Sequence, residues 1–202
     1  MKKLLGAFGV LAIFVCLRVL PQVSEPAQAG TAVRMEIADL VAGADLLIEG
    51  HVLSQRVEET LGGRIDTLST ITIDRTYWGT PQHVRIVRTP GGVLPDGRGM
   101  IVPGMARIRA GEDVLLALTA PAADGMRMPV GLAQGKFGIK TNSQGRRVMV
   151  RTQGDLSLVN PATGMVQDAD GVRVMDYAAV VAEVERAVAE RRALRTNPRE
   201  ED

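Results

Sequence analysis

Apolar and polar residues alternate with a period of two through the middle of the chain and with a helical period only towards its flanks. In "VRMEIADLVAGA", residues 33–44, Met35, Ile37, Ala38 and Val41 recur at roughly helical spacing and Gly43 follows as a stop, which predicts a short helix. From Leu46 the period becomes two. Leu46, Ile48, Gly50 and Val52 share one face, and Glu49, His51 and Gln55 share the other. Ile71, Ile73 and Tyr77 then alternate with Thr70, Thr72 and Asp74, and Val84 and Ile86 with His83 and Arg85. "Trp78-Gly79-Thr80-Pro81" separates the last two strands as a turn. The run "EDVLLAL" is apolar without alternation, as expected of a strand covered on both faces. Shorter strands are expected at 126–132, 136–141 and 146–152, with Asn142 to Gly145 as a hairpin turn between the last two. Beyond Pro161 the helical period returns. Tyr177, Val180, Val181, Val184 and Val188 form one stripe, Asp176 is a candidate N-cap, and the stripe is expected to dock on the strands.

Many short strands joined by glycine- and proline-rich turns predict a mainly β fold. The architecture expected is a small antiparallel OB-like β-barrel with a short N-terminal helix and a C-terminal amphipathic helix. The barrel is placed at 30–160. A linker, the helix and the charged tail "TNPREED" fill 161–202.

Residues 1–29 stand apart from this pattern. Lys2 and Lys3 precede an apolar run from Leu4 to Leu17, and Ala27-Gln28-Ala29 has the small-x-small form of a cleavage site. This is the order of a secretory signal, with an apolar run too short to span a bilayer comfortably. Export to the periplasm or the medium is expected, with the mature chain starting at Gly30. Three of the 24 basic and one of the 23 acidic side chains would leave with the signal, so the mature chain carries a net charge near −1. Such a chain has no basic surplus to draw it to nucleic acid or to an anionic membrane. Cys16, the sole cysteine, would leave as well, so no disulfide is expected.

The chemistry-bearing residues are few. His51 and His83 lie on polar strand faces, and two histidines without cysteine make a poor zinc site. "DADG" at 168–171 lacks the end ligands of a calcium loop and reads as a turn. Glu58 and Glu59 are neighbours on a strand and point to opposite sides. No metal, cofactor or catalytic residue is assigned.

The stretch "RTPGGVLPDGRGMIVPG", residues 88–104, places Gly92 and Gly97 five apart. A phosphate loop requires lysine and then serine or threonine after the second glycine, followed by a helix. Here Arg98, Gly99 and Met100 follow, and then Pro103 and Gly104. The stretch reads instead as a long connection that either tucks against the barrel or carries a binding surface. Val93, Leu94, Arg98 and Met100 from this loop, with Trp78, are the candidate partner-binding residues.

"ADLLIEGHVLS", "TLSTITIDRTYWGT", "VRIVRTPGG", "ARIRAGEDVLLAL" and "VGLAQGKFGI", taken in this order over about residues 38 to 140, resemble a bacterial secreted domain of unknown function. The first part is also similar to netrin-like modules, including the inhibitory domain of tissue inhibitors of metalloproteinases. That resemblance implies an OB-type barrel and a protein-binding role. Those inhibitors chelate zinc through an N-terminal cysteine and are braced by disulfides, whereas this mature chain would have no cysteine, so their mechanism does not carry over. The function expected is therefore that of an exported, non-enzymatic binding module contacting another envelope or secreted protein, such as a protease. The alternative is an exported hydrolase working through Asp66, Asp74 or Asp96. Oligonucleotide binding, which OB barrels often perform, would need stacking aromatics that a 3% aromatic content does not supply.

Overall fold

A computed structural model of the chain describes residues 30–153, 156–169 and 171–196. The expected signal segment, Asp170 of "DADG" and the tail beyond Thr196 lie outside them. Strand β1 (Gly30–Val33) leads into helix α1 (Ile37–Gly43), where the sequence predicts it. Two strands of 14 residues follow, β2 (Leu46–Glu59) and β3 (Ile65–Trp78), paired antiparallel along their whole length. Three register shifts interrupt the pairing, and such bulges add twist. One falls between Glu49 and Gly50, and a side-chain carbon at Gly50 would collide with the carbonyl oxygen of Thr72. The glycine is required by that close approach.

The remaining elements are β4 (Val84–Pro90), β5 (Gly92–Val93), β6 (Gly99–Met100), β7 (Asp113–Leu118), a 3-10 turn at Leu132–Gly135, β8 (Lys136–Thr141), β9 (Arg147–Thr152), β10 (Leu156–Val159), β11 (Val166–Asp168), β12 (Val172–Asp176) and helix α2 (Tyr177–Thr196). Seven strands form one antiparallel sheet in the order β12-β9-β8-β7-β2-β3-β4. Strand β1 pairs in parallel with β10, which pairs with β11. The fold is mainly β, with 46% of the described residues in strands and two helices among them. The sheet does not close into a barrel. Beyond β4 the chain offers only an isolated bridge, in which Arg127 N donates to Arg88 O, so β4 and β12 remain its two ends.

Both faces of the sheet are covered. On one side Leu47, Tyr77, Leu115, Phe137, Ile139 and Met149 meet Leu40 and Val41 of α1 and Val180, Val184, Ala187 and Val188 of α2. On the other, Leu46, Ile48, Val52, Ile71, Val87 and Leu116 gather under Ile108 from the segment between β6 and β7. Strand β7 contributes Leu115 and Ala117 to the first cluster and Val114, Leu116 and Leu118 to the second. This explains why "DVLLAL" is apolar without alternation.

Three expectations need correction. Val84 and Ile86 point to solvent, and Val87 and Thr89 are buried instead. "VRIVR" allows either frame, and the pairing Ser69↔Val87 selects the inward one. Residues 126–132 form isolated bridges and the approach to the 3-10 turn, not a strand. Residues 161–176, read as a linker, carry β11 and β12, with β12 an end strand of the main sheet. Their short apolar alternation is too brief to stand out in the sequence. The corrected frame has a measurable consequence. Ile86→Lys should change stability by no more than about 0.5 kcal/mol, as exposed sites do. Ile71→Ala, at a fully buried position of the neighbouring strand, should cost about 2–5 kcal/mol. Urea unfolding of the two variants checks the frame, and a large loss with Ile86→Lys would overturn it.

Candidate functional site

The glycine-rich stretch after β4 folds into a small hairpin. Gly91 and Gly92, both at positive φ, bend the chain out of β4, and Leu94 N donates to Arg98 O at 2.7 Å to close the turn. Gly97 supplies the left-handed residue of that turn. Asp96 accepts from the backbone N–H of Arg98 at 3.0 Å and from its Nε at 2.9 Å, which holds the Asp96 carboxyl below its ordinary pKa. Arg98 also reaches Glu59 of β2 at 2.8 Å. The chain after Gly97 enters β6, with no helix following.

Four of the five candidate residues are therefore neighbours. Val93 is 63% exposed, Arg98 is exposed, and Leu94 and Met100 are half-buried. Ile101, next to β6 and absent from the sequence-based set, is 79% exposed. A groove of about 410 Å³ runs beneath the hairpin between Val57, Pro90, Val93, Met100, Ile101 and Val102. Trp78 does not belong to this group. It lies at the opposite end of β3, half-buried against α2, with the Arg191 guanidinium 4.1 Å from its ring centre. Arg191 in turn donates to the carbonyls of Val41 and Ala44, so Trp78 is part of the seat that fixes α2.

A second cleft, of about 530 Å³, lies over β8 and β9. Gly138, Val150 and Thr152 line it, and these alternate with Phe137, Met149 and Arg151, so it opens on the side away from the helices. The segment 104–113 forms its other wall. Lys136 pairs with Glu112 at 2.8 Å, and Asp113 meets His51 Nδ1 at 2.7 Å. His51 is thus half-buried and paired, while His83 is exposed. The cleft was not legible in the sequence because its walls come from three separate stretches.

Sequence reasoning also missed Glu49. The alternation places it on a polar face, but that face lies under α2 and Glu49 is only 5% exposed. Its carboxylate accepts from Tyr77 Oη at 2.9 Å, Tyr177 Oη at 2.8 Å and Arg147 Nη2 at 2.9 Å. The Arg147 guanidinium stacks 3.8 Å from the Tyr177 ring centre. Burial, and then the hydrogen bond to Glu49, push both phenols above their ordinary pKa. Every polar group here already has a partner, so the cluster pins the start of α2 to the sheet.

The carboxylates weighed for a hydrolase do not meet. Asp66 is fully buried, with its two oxygens filled by Arg64 at 2.7 and 2.8 Å and by Arg88 at 3.1 Å. Asp74 is exposed further along β3, and Asp96 is engaged by Arg98 in the hairpin turn. Glu58 and Glu59 diverge to Arg88 and Arg98 respectively. Among the described residues no three histidine, aspartate or glutamate side chains converge as metal ligands, and no helix is long and apolar enough to cross a membrane. No protein-family model, curated protein or solved structure matches this chain.

Proposed function

We propose that this protein is an exported, non-enzymatic binding module that contacts another envelope or secreted protein through the hairpin at residues 92–100. One observation carries the reading. Val93 and Ile101, both large and apolar, stand exposed beside a groove of mixed polar and apolar lining, with Arg98 adjacent to Val93's strand. Exposed aliphatic side chains gathered at a groove, with a charged residue at the rim, are characteristic of contact surfaces. The ion pairs of Arg98 with Glu59 and Asp96 hold the hairpin in one arrangement, so little ordering is left for a partner to impose. Support for export comes from the Lys2-Lys3, apolar, Ala27-x-Ala29 order. The separation of Asp66, Asp74 and Asp96 leaves the hydrolase reading without a constellation.

Site-specific photo-crosslinking in cells producing the full-length chain tests the proposal. A benzophenone side chain at position 93 or 101 should yield a discrete heavier species, and the same group at Leu61, exposed in the turn between β2 and β3, should not. Ile101→Asp should abolish the species formed from position 93 while leaving the melting temperature unchanged. Equal labelling at positions 61 and 93, or none at 93 and 101, defeats the contact. The intact mass of the exported protein should begin at Gly30, and a mass including residues 1–29 defeats the processing.

A further inference from the structure

We propose that the cleft over β8 and β9 is a binding site for a small organic anion, one that presents a carboxylate or phosphate group on an apolar body. The charges of its lining do not balance internally. Its two acids are already engaged, Glu112 by Lys136 and Asp113 by His51. Arg107, Arg109 and Lys140 also line the cleft, and their side chains have no hydrogen-bond or ion-pair partner among the described residues. The four cations of the lining outnumber its two acids by two, which raises the local concentration of anions, and the unpartnered Arg107, Arg109 and Lys140 supply charge-assisted donors to an oxygen ligand.

A second observation points the same way. Gln153 lines the cleft, is only 5% exposed, and its Nε2 has no acceptor among the described residues. A buried amide donor without a partner is uncommon in a folded protein. A half-turn about the last side-chain torsion exchanges its nitrogen and oxygen, so the amide can offer its donor to either side. Ala133, Ile139 and Val150 supply the apolar part of the lining, and Gly138 adds no side chain to the floor. A side-chain carbon at Gly138 would meet nothing closer than Lys136 Nζ at 3.6 Å and Val150 O at 3.7 Å, so the position is open and the glycine keeps the floor clear. The volume of about 530 Å³ suits a metabolite-sized ligand and not a macromolecule. The inference does not depend on the hairpin contact: Arg107 and Arg109 border both cavities, but Gly138, Lys140 and Gln153 line this cleft and not the groove beneath the hairpin.

The test titrates the purified mature chain with inorganic phosphate and, separately, with succinate, each against sodium chloride at matched ionic strength so that general screening cancels. Binding is followed by two-dimensional NMR, with the Gln153 side-chain amide assigned by its loss in Gln153→Leu. At least one of the two anions should move that amide in a saturable manner. The paired variant Arg109→Gln/Lys140→Gln should bind about tenfold more weakly or worse, as expected when charge-assisted contacts are lost. Arg186→Gln, which removes an exposed cation from α2, should leave the affinity unchanged. Gly138→Val supplies the second arm: valine suits a strand, so the fold should persist while the floor is filled and binding is lost. Saturation by phosphate alone or by succinate alone identifies the group that is recognised. The proposal is overturned by a response equal to that of chloride, by undiminished binding in folded Gly138→Val, or by binding that leaves the Gln153 amide unmoved.

Discussion

Replacing Glu49 with alanine should cost about 3–5 kcal/mol of folding stability, the usual penalty for removing one partner of a buried, hydrogen-bonded polar group. Two phenols and the Arg147 guanidinium converge on this carboxylate. Its loss leaves the buried Tyr77 hydroxyl without an acceptor and opens a gap where α2 begins. Glu49→Gln keeps one acceptor oxygen and should recover a substantial part of the loss. Denaturant midpoints read both, and an alanine variant as stable as the parent would show that the cluster contributes nothing. The same cluster predicts an alkaline response. Burial, and then Glu49, raise both phenols above their unfolded value of about 10, which favours the neutral form in the folded chain. The stabilisation is therefore complete below pH of about 10 and is lost as pH rises through the folded values. The chain has only these two tyrosines, so tyrosinate absorbance reports the cluster alone. The absorbance should rise together with the loss of ordered structure, and two phenols ionising near pH 10 in a still-folded protein would contradict the arrangement.

Val184→Asp should undock α2. Val184 is 1% exposed, between the sheet and α1, with Val180 and Val188 on the same stripe. An unpaired buried charge costs more than about 4 kcal/mol, a large fraction of the roughly 5–15 kcal/mol that holds an ordinary domain together. Trp78, seated against α2, is the natural reporter: its fluorescence should shift towards that of a solvated indole, and the unfolding midpoint should fall sharply. An unchanged midpoint accompanied by lost self-association would assign the stripe to an interface between molecules.

The periodicities that proved legible belong to elements with one unambiguous face. Helix α1, strand β2, the Ile71–Ile73 stretch of β3, the hairpin turn at 142–145 and the stripe of α2 carry a frame that no neighbour needed to choose, whereas Tyr77, aligned with Ile71 and Ile73 by the alternation, lies in the opposite cluster because the register shifts between β2 and β3 turn the strand over. Strand β4 failed because "VRIVR" fits both frames, and only its register against Ser69 and Ile71 decides between them. Glu49 was unreadable for the opposite reason. Its alternation was correct, but the face called polar is the one α2 covers, and the sequence does not show which side of a strand a distant helix will take. Four of the five proposed contact residues are adjacent because they share one hairpin. Trp78 separates from them because the fold sends the two ends of β3 to different places. The cleft over β8 and β9 could not be assembled from sequence at all, since Arg107, Lys140 and Gln153 meet only after β7, β8 and β9 have paired.

The seating of α1 on α2 also orders events in time. Residues from near the two ends of the described chain share one apolar cluster, and contacts so distant along a sequence form late and slowly. Until the 20 residues of α2 have been synthesised, α1 alone covers Leu47, Leu115 and Phe137, however well the strands beneath them have paired. A growing chain therefore holds an exposed apolar face through most of its synthesis.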